Sequence, residues 1–163
     1  MLKNVILILL LATVSISNAQ EKAHKAKENV YKKALRYGLF ALAGYAEGMN
    51  NALLFHYSAF KRVHPEANDQ FWNPGISWKN KYEDWDNGNQ NPKFFQSTST
   101  LVFTTDGFHL TNMVDHISLL AGASVTIPLG EKKPLKWYVK QIATSYLCNR
   151  AGFYLSYNII YKQ

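Results

Sequence analysis

Residues 135–161, LKWYVKQIATSYLCNRAGFYLSYNIIY, decide between two architectures. Stepped at about 100° per residue, Val139, Ala143, Tyr146, Arg150, Tyr154, Tyr157 and Tyr161 share one face, as in a helix. The last part alternates as well. Phe153, Leu155, Tyr157, Ile159 and Tyr161 face one side of a strand and Tyr154, Ser156 and Asn158 the other, the pattern of an outer-membrane strand. A barrel repeats such segments along its whole length, and the first half of this chain has none. The segment reads as a helix.

The regions around it agree. From about Lys25 to Val63 nothing interrupts a helix, because proline is absent until Pro65. Gly44, Gly48 and Ala52 lie four apart, a spacing that lets a second helix come close, and a kink is expected near Gly48. Residues 98 to about 124 form a third segment, and the turn TIPLGEKKPL (126–135) leads into the last. Between the first and third segments lie residues 65–97, with Pro65, Pro74 and Pro92 and Asn-Pro and Asn-Gly pairs. This stretch also carries Trp72, Trp78, Trp85 and several Phe, which a disordered linker would lack. The expected fold is mainly α: a small bundle of three or four helices with a long, ordered, aromatic-rich loop without regular structure, packed on the helices or turned to a partner.

The N-terminus suggests export. MLKNVILILLLATVSISNAQ has one lysine, an apolar core and small residues at Ser17 and Ala19, so residues 1–19 read as a signal peptide and 20–163 as one helical domain. Cys148 is the only cysteine, which excludes an intrachain disulfide and a cysteine zinc site; it is expected to be buried and inert. The net charge of +7 is concentrated in EKAHKAKENVYKKALR (21–36), a solvated helix start or a segment attracted to anionic lipid. No nucleic-acid motif is present, and no nucleic-acid partner is expected. The stretch from Tyr37 to Phe60 is long enough to span a bilayer. The third segment is not expected to insert, since two central Asp cost roughly 5–7 kcal/mol.

The chemistry concentrates in TDGFHLTNMVDH (105–116). On a helix, Asp106, His109 and His116 fall on one face while Asp115 points to the other side. Asp106, His109 and His116 are the candidate metal ligands, for a divalent ion such as zinc, if another helix completes the shell. The plainer reading makes Asp106 a helix cap and the histidines buried, hydrogen-bonded groups. Arg150 and Glu47 stand in stretches nearly free of other charge, so each needs a partner. Either they form a buried pair that ties two helices together, or Glu47 and His109 act as catalytic groups around one cavity. In the second case Arg150 and Trp78 contact the substrate. DWDNGN (84–89) fails as a calcium loop because Phe95 stands where a glutamate is needed. No serine or cysteine has a nucleophile context.

The strings FHYSAF (55–60), FWNPGISWKNKY (71–82) and TDGFH (105–109) resemble a pattern in a family of small uncharacterised bacterial and phage proteins, over about residues 36–110. The resemblance implies one structural unit and assigns no activity and no functional residue. The expected function is that of an exported envelope or membrane-surface protein acting through interaction with a membrane or an envelope partner. The alternative is a metal-dependent hydrolase. The sequence sets no oligomeric state.

Overall fold

A stretch without proline becomes one long helix, α1, over 30–55. The computed structural model describes residues 30–127 and 132–162. The expected signal peptide and part of the 126–135 turn lie outside the described residues. The chain divides into two units, Met1–Leu35 and Arg36–Gln163. In the first unit the described residues, 30–35, are helical and exposed.

In the second unit α1 runs unbroken through Gly48. It ends at residue 55, His56 leaves helical geometry (φ −140°, ψ 45°), and α2, Tyr57–Val63, restarts. Gly48 remains helical because its missing side chain is used for packing. A Cβ there would stand 2.9 Å from the Phe153 carbonyl oxygen and 2.9 Å from Ser156 Cβ. The break at His56 turns its ring towards the Tyr157 hydroxyl, to which Nε2 is hydrogen-bonded.

Residues 65–97 are ordered, as expected, but they contain regular structure that was not. Two asparagine caps start α3, Asp69–Trp72, and α4, Pro74–Ser77: Asn68 accepts from the Gln70 N–H at 2.9 Å and Asn73 from the Gly75 N–H at 3.0 Å. Pro74 occupies the first helical turn, where no N–H is needed. A 3₁₀ turn, Trp78–Lys81, leads into a two-stranded antiparallel ribbon of β1, Tyr82–Asp84, and β2, Asn89–Pro92, with Tyr82 opposite Pro92. Gly88 closes it at φ +83°, a conformation that favours glycine. Asp84 accepts from the Asn87 N–H and side chain, so it serves the turn.

After turns and a short 3₁₀ segment, Val102–Thr104, α5 runs from Gly107 to Thr126. It starts later than the sequence suggested, at Gly107 and not near Thr98, because Asp106 caps it. The helical reading of the last segment holds: α6 covers Leu135–Phe153 and continues as a π-helical turn, Tyr154–Ile160.

Two kinds of packing hold the second unit together. At one end Leu53, Phe60 and Tyr161 are buried with Ala52, against Met49, Tyr57, Trp72 and Tyr157. Phe60 is ringed by Trp72 (5.4 Å), Tyr161 (5.7 Å) and His64 (4.8 Å between centroids). Elsewhere the helices meet through small residues. A Cβ on Gly44 would lie 1.8 Å from the Asn149 carbonyl oxygen, and one on Gly152 would lie 2.0 Å from that of Ala41. So α1 and α6 touch backbone to backbone at the face that Gly44, Gly48 and Ala52 mark in the sequence. On α5 the buried residues are Gly107, Thr111, Ser118 and Gly122, and on α6 they are Gln141, Ser145 and Gly152. Several large apolar side chains of these helices face outward: Leu120 is 69% exposed, Ile142 70% and Leu135 77%.

Candidate functional site

Among the described residues, the contacts of the expected catalytic and binding residues fall in three separate places. The first lies at the start of α5. Asp106 has an extended backbone (φ −160°, ψ 159°), and its Oδ1 accepts the His109 N–H at 2.8 Å, capping the helix. The same carboxylate lies 2.7 Å from His109 Nδ1, with the Thr105 hydroxyl 3.1 Å from Oδ2. Burial alone would raise the Asp106 pKa, but the side-chain and backbone hydrogen bonds from His109 outweigh it, and the carboxyl titrates below its ordinary range. A buried acid thus orients a part-exposed imidazole through Nδ1, the arrangement that leaves Nε2 to act as a base or ligand. One carboxylate thus makes both the helix cap and the contact with the His109 ring.

His116 does not join them. It is exposed, and its Nδ1 is 2.7 Å from the Asn112 carbonyl oxygen, one turn back on its own helix. Among the described residues no three His, Cys, Asp or Glu side chains gather to hold a metal ion. The expected Asp106, His109 and His116 ligand set is therefore not assembled. Shared helical spacing put the three on one stripe, but only the first turn of α5 brings its acid and imidazole into contact.

The second place joins α1, α5 and α6. Arg150 Nη2 donates to Glu47 Oε2, the pairing expected from two isolated charges. The pair is not buried: about a third of each side chain is exposed, so it is worth about 0–1 kcal/mol as an ion pair. Arg150 Nε donates to Asn149 Oδ1 at 3.0 Å, and the guanidinium lies 4.9 Å from the Phe153 ring centre. Asp115 belongs here as well. Burial raises its pKa, the Glu47 charge raises it further, and His116 and Arg150 pull it down; the net direction is up. Its Oδ1 is buried without a hydrogen-bond partner. Asp115, which helix stepping sets on the side opposite His109, thus lies within electrostatic reach of Glu47 and Arg150. The demand of Arg150 for an acid was the signal that could have pointed to it.

Trp78, the other expected substrate contact, packs edge-on against Trp85 at 4.6 Å, and Tyr82 adds its ring to Trp85 at 4.8 Å. Those rings fill the loop's own small core. Cys148 is half-buried, less enclosed than expected.

One feature escaped the sequence altogether. A cavity of about 410 Å³ lies between α1, α5 and α6, lined by Phe40, Leu119, Ile127, Gln141, Ile142 and Tyr146 among others. Gln141 is 8% exposed, and its Oε1 has no hydrogen-bond partner. A lone glutamine among Lys, Ile and Ala gave no sign of this. No protein-family model, no curated protein and no solved structure matches the chain.

Proposed function

We propose that this is an exported protein that works at a membrane surface through interaction, with the outer faces of α1, α5 and α6 as its contact surface. The observation that carries this reading is the inverted distribution of side chains on those helices. Ser118, Ser145, Gln141, Gly122 and Gly152 are inside, while Leu42, Leu120, Leu135, Ile142 and Leu147 are outside. In water, burial of Leu and Ile drives packing at about 25 cal/mol per Å². Helices packed through small residues with apolar exteriors suit surroundings that are themselves apolar. Among the described residues no helix is long and apolar enough to cross a membrane. The reading is accordingly one of surface association, to which the basic stretch 21–33 adds about 1 kcal/mol per charge on anionic lipid. The signal-peptide pattern of residues 1–19 supports delivery to the envelope.

Flotation with liposomes tests it. The wild-type chain rises with anionic vesicles, and a variant carrying Leu120→Gln, Ile142→Gln and Leu147→Gln stays at the bottom with unchanged helicity. A wild-type protein that is monomeric in detergent-free buffer and ignores vesicles would overturn the proposal.

A second reading rests on the Asp106–His109 pair, which would serve an acid–base enzyme acting at His109 Nε2. It predicts an activity lost in His109→Ala and retained in His116→Ala. Equal behaviour of the two variants in every assay would leave the pair a purely structural one.

A further inference from the structure

We infer that the cavity between α1, α5 and α6 binds one single-chain anionic amphiphile, a lipid with an alkyl chain, a phosphate or carboxylate, and a hydroxyl or amide N–H close to it. The inference uses the membrane-surface reading only for where the ligand comes from.

Three observations converge. The cavity's size, about 410 Å³, lies in the range of small-molecule sites, and its wall is mainly Phe40, Leu119, Ala123, Ile127, Ile142 and Tyr146. Apolar surface continues outside it: Leu120, Ile127, Leu135 and Ile142 are exposed, and Ile127 and Ile142 also line the cavity. An empty apolar pocket needs no polar groups, yet this one has Gln141 in its wall with Oε1 buried and unpartnered. A protein seldom leaves such an acceptor bare, because its lost hydration is not made good by a donor. The missing partner is an O–H or N–H donor.

The third observation supplies the charge. Arg36 is 6% exposed, and its Nε and Nη2 have no hydrogen-bond partner among the described residues; the Tyr37 ring lies 4.3 Å from its guanidinium carbon. Arg36 precedes Phe40 by one turn on the same face of α1, and Phe40 both lines the cavity and packs over Gly122. A buried guanidinium with free donors is a cost to the fold unless an anion meets it, and its planar fork matches phosphate and carboxylate. Chain in the apolar wall, anion on Arg36 and donor on Gln141 together account for all three features.

Calorimetric titration of the full chain below the micelle concentration tests this with three probes. Myristoyl lysophosphatidic acid carries chain, hydroxyl and phosphate; monomyristoylglycerol lacks the phosphate; glycerol phosphate lacks the chain. The first is expected to bind once per chain, the second roughly tenfold or more weaker, and the third not at all. Arg36→Gln should bring the first probe down to the level of the second. Ala123→Phe, at an exposed helix position that tolerates a larger side chain, should fill the cavity and weaken both. Melting curves of both variants verify that they fold. Absence of saturable binding, or binding that neither substitution changes, overturns the inference. Failure here while the wild-type chain floats with vesicles removes the cavity ligand alone; a wild-type chain that ignores vesicles yet binds the first probe in the calorimeter removes the surface reading alone.

Discussion

The two ends of the helical unit follow opposite rules. Around Phe60 the large rings are inside: Phe60 and Tyr161 are 1% exposed, Leu53 also 1%, and polar partners such as His64 sit at the edge, with Nε2 3.0 Å from the Tyr161 hydroxyl. Around Gly44 and Gly152 the small residues are inside and Leu, Ile and Tyr look out. The first end gains its stability from removing apolar area from water. The second gains it from close backbone approach and dispersion contacts, which do not depend on water. A chain that uses both rules has one end suited to water and another suited to an apolar neighbour.

The sharpest way to break the comparison is to put a side chain where two backbones touch. Gly44→Val and Gly152→Val each force α1 and α6 apart, because their Cβ atoms would fall 1.8 Å and 2.0 Å from carbonyl oxygens. Backbone cannot yield as a flexible side chain does, so the expected loss exceeds about 3 kcal/mol, beyond the usual range of overpacking. Gly38 is the internal control. A Cβ there meets nothing within 4 Å, and Gly38→Ala should stabilise the helix by about 0.5–1 kcal/mol. Thermal melts followed by circular dichroism separate the three. If Gly44→Val melts like Gly38→Ala, the close helix contact is wrong.

Phe60→Ala tests the other end. Loss of a buried ring should cost about 3–5 kcal/mol by denaturant titration, from lost burial plus the cavity left among Trp72, Tyr161 and His64. The same titration on Ile142→Ala, an exposed position of similar apolarity, should move stability by no more than about 0.5 kcal/mol. Equal losses at the two positions would erase the contrast between the ends.

Much of this was legible in the sequence, and the exceptions have physical causes. The last segment's helical period, the Gly44–Gly48–Ala52 face and the Glu47–Arg150 pairing were readable, because periodicity and isolated charge each impose a local demand. The direction of a face is a different matter. Val139, Tyr146, Tyr154 and Tyr161 share one helical stripe, yet only Tyr161 is buried and the other three are exposed, because a helical period does not say which side is inside. The break at His56 depends on Tyr157, far along the chain, and no local signal marks it. The ribbon of Tyr82–Asp84 and Asn89–Pro92 is too short and polar for alternation to reveal. The rotation of α5 is set by Asn50, whose Nδ2 donates to the Phe108 carbonyl and lies 2.9 Å from Thr111 Oγ1. That rotation, and not helix spacing, sends Asp115 towards Glu47.

A smaller effect distinguishes the start of α5. Asp106→Ala removes a cap and the partner of the His109 ring, with an expected cost of about 1–2 kcal/mol at pH 7. The Asp106 carboxyl titrates lower in the fold than in the unfolded chain, so its contribution is present above the ordinary carboxyl value of about 3.9 and is lost as pH falls through the folded value. Wild type and variant should therefore converge on acidification. A gap between them that does not change from pH 7 to pH 3 would show that Asp106 acts by packing alone.

Asp115 reverses the sign. Its carboxyl titrates higher in the fold, through burial and the nearby Glu47 charge, so the folded chain holds that proton more tightly than the unfolded one. Stability from this group is full below about pH 3.9 and declines as pH rises through the folded value. Asp115→Asn keeps the shape and removes the charge, so it should match wild type in acid and exceed it at neutral pH. The gain should be small, because Arg150 and His116 already offset part of the cost. Glu47→Gln, made both alone and together with Asp115→Asn, adds the decisive arm. With Asp115 present, it removes one source of the repulsion while breaking the Arg150 pair; in the Asp115→Asn background, only the broken pair remains. If the two Glu47→Gln effects are equal across the pH range, Glu47 and Asp115 do not feel each other, and the Glu47–Arg150 pair ties α1 to α6 without α5.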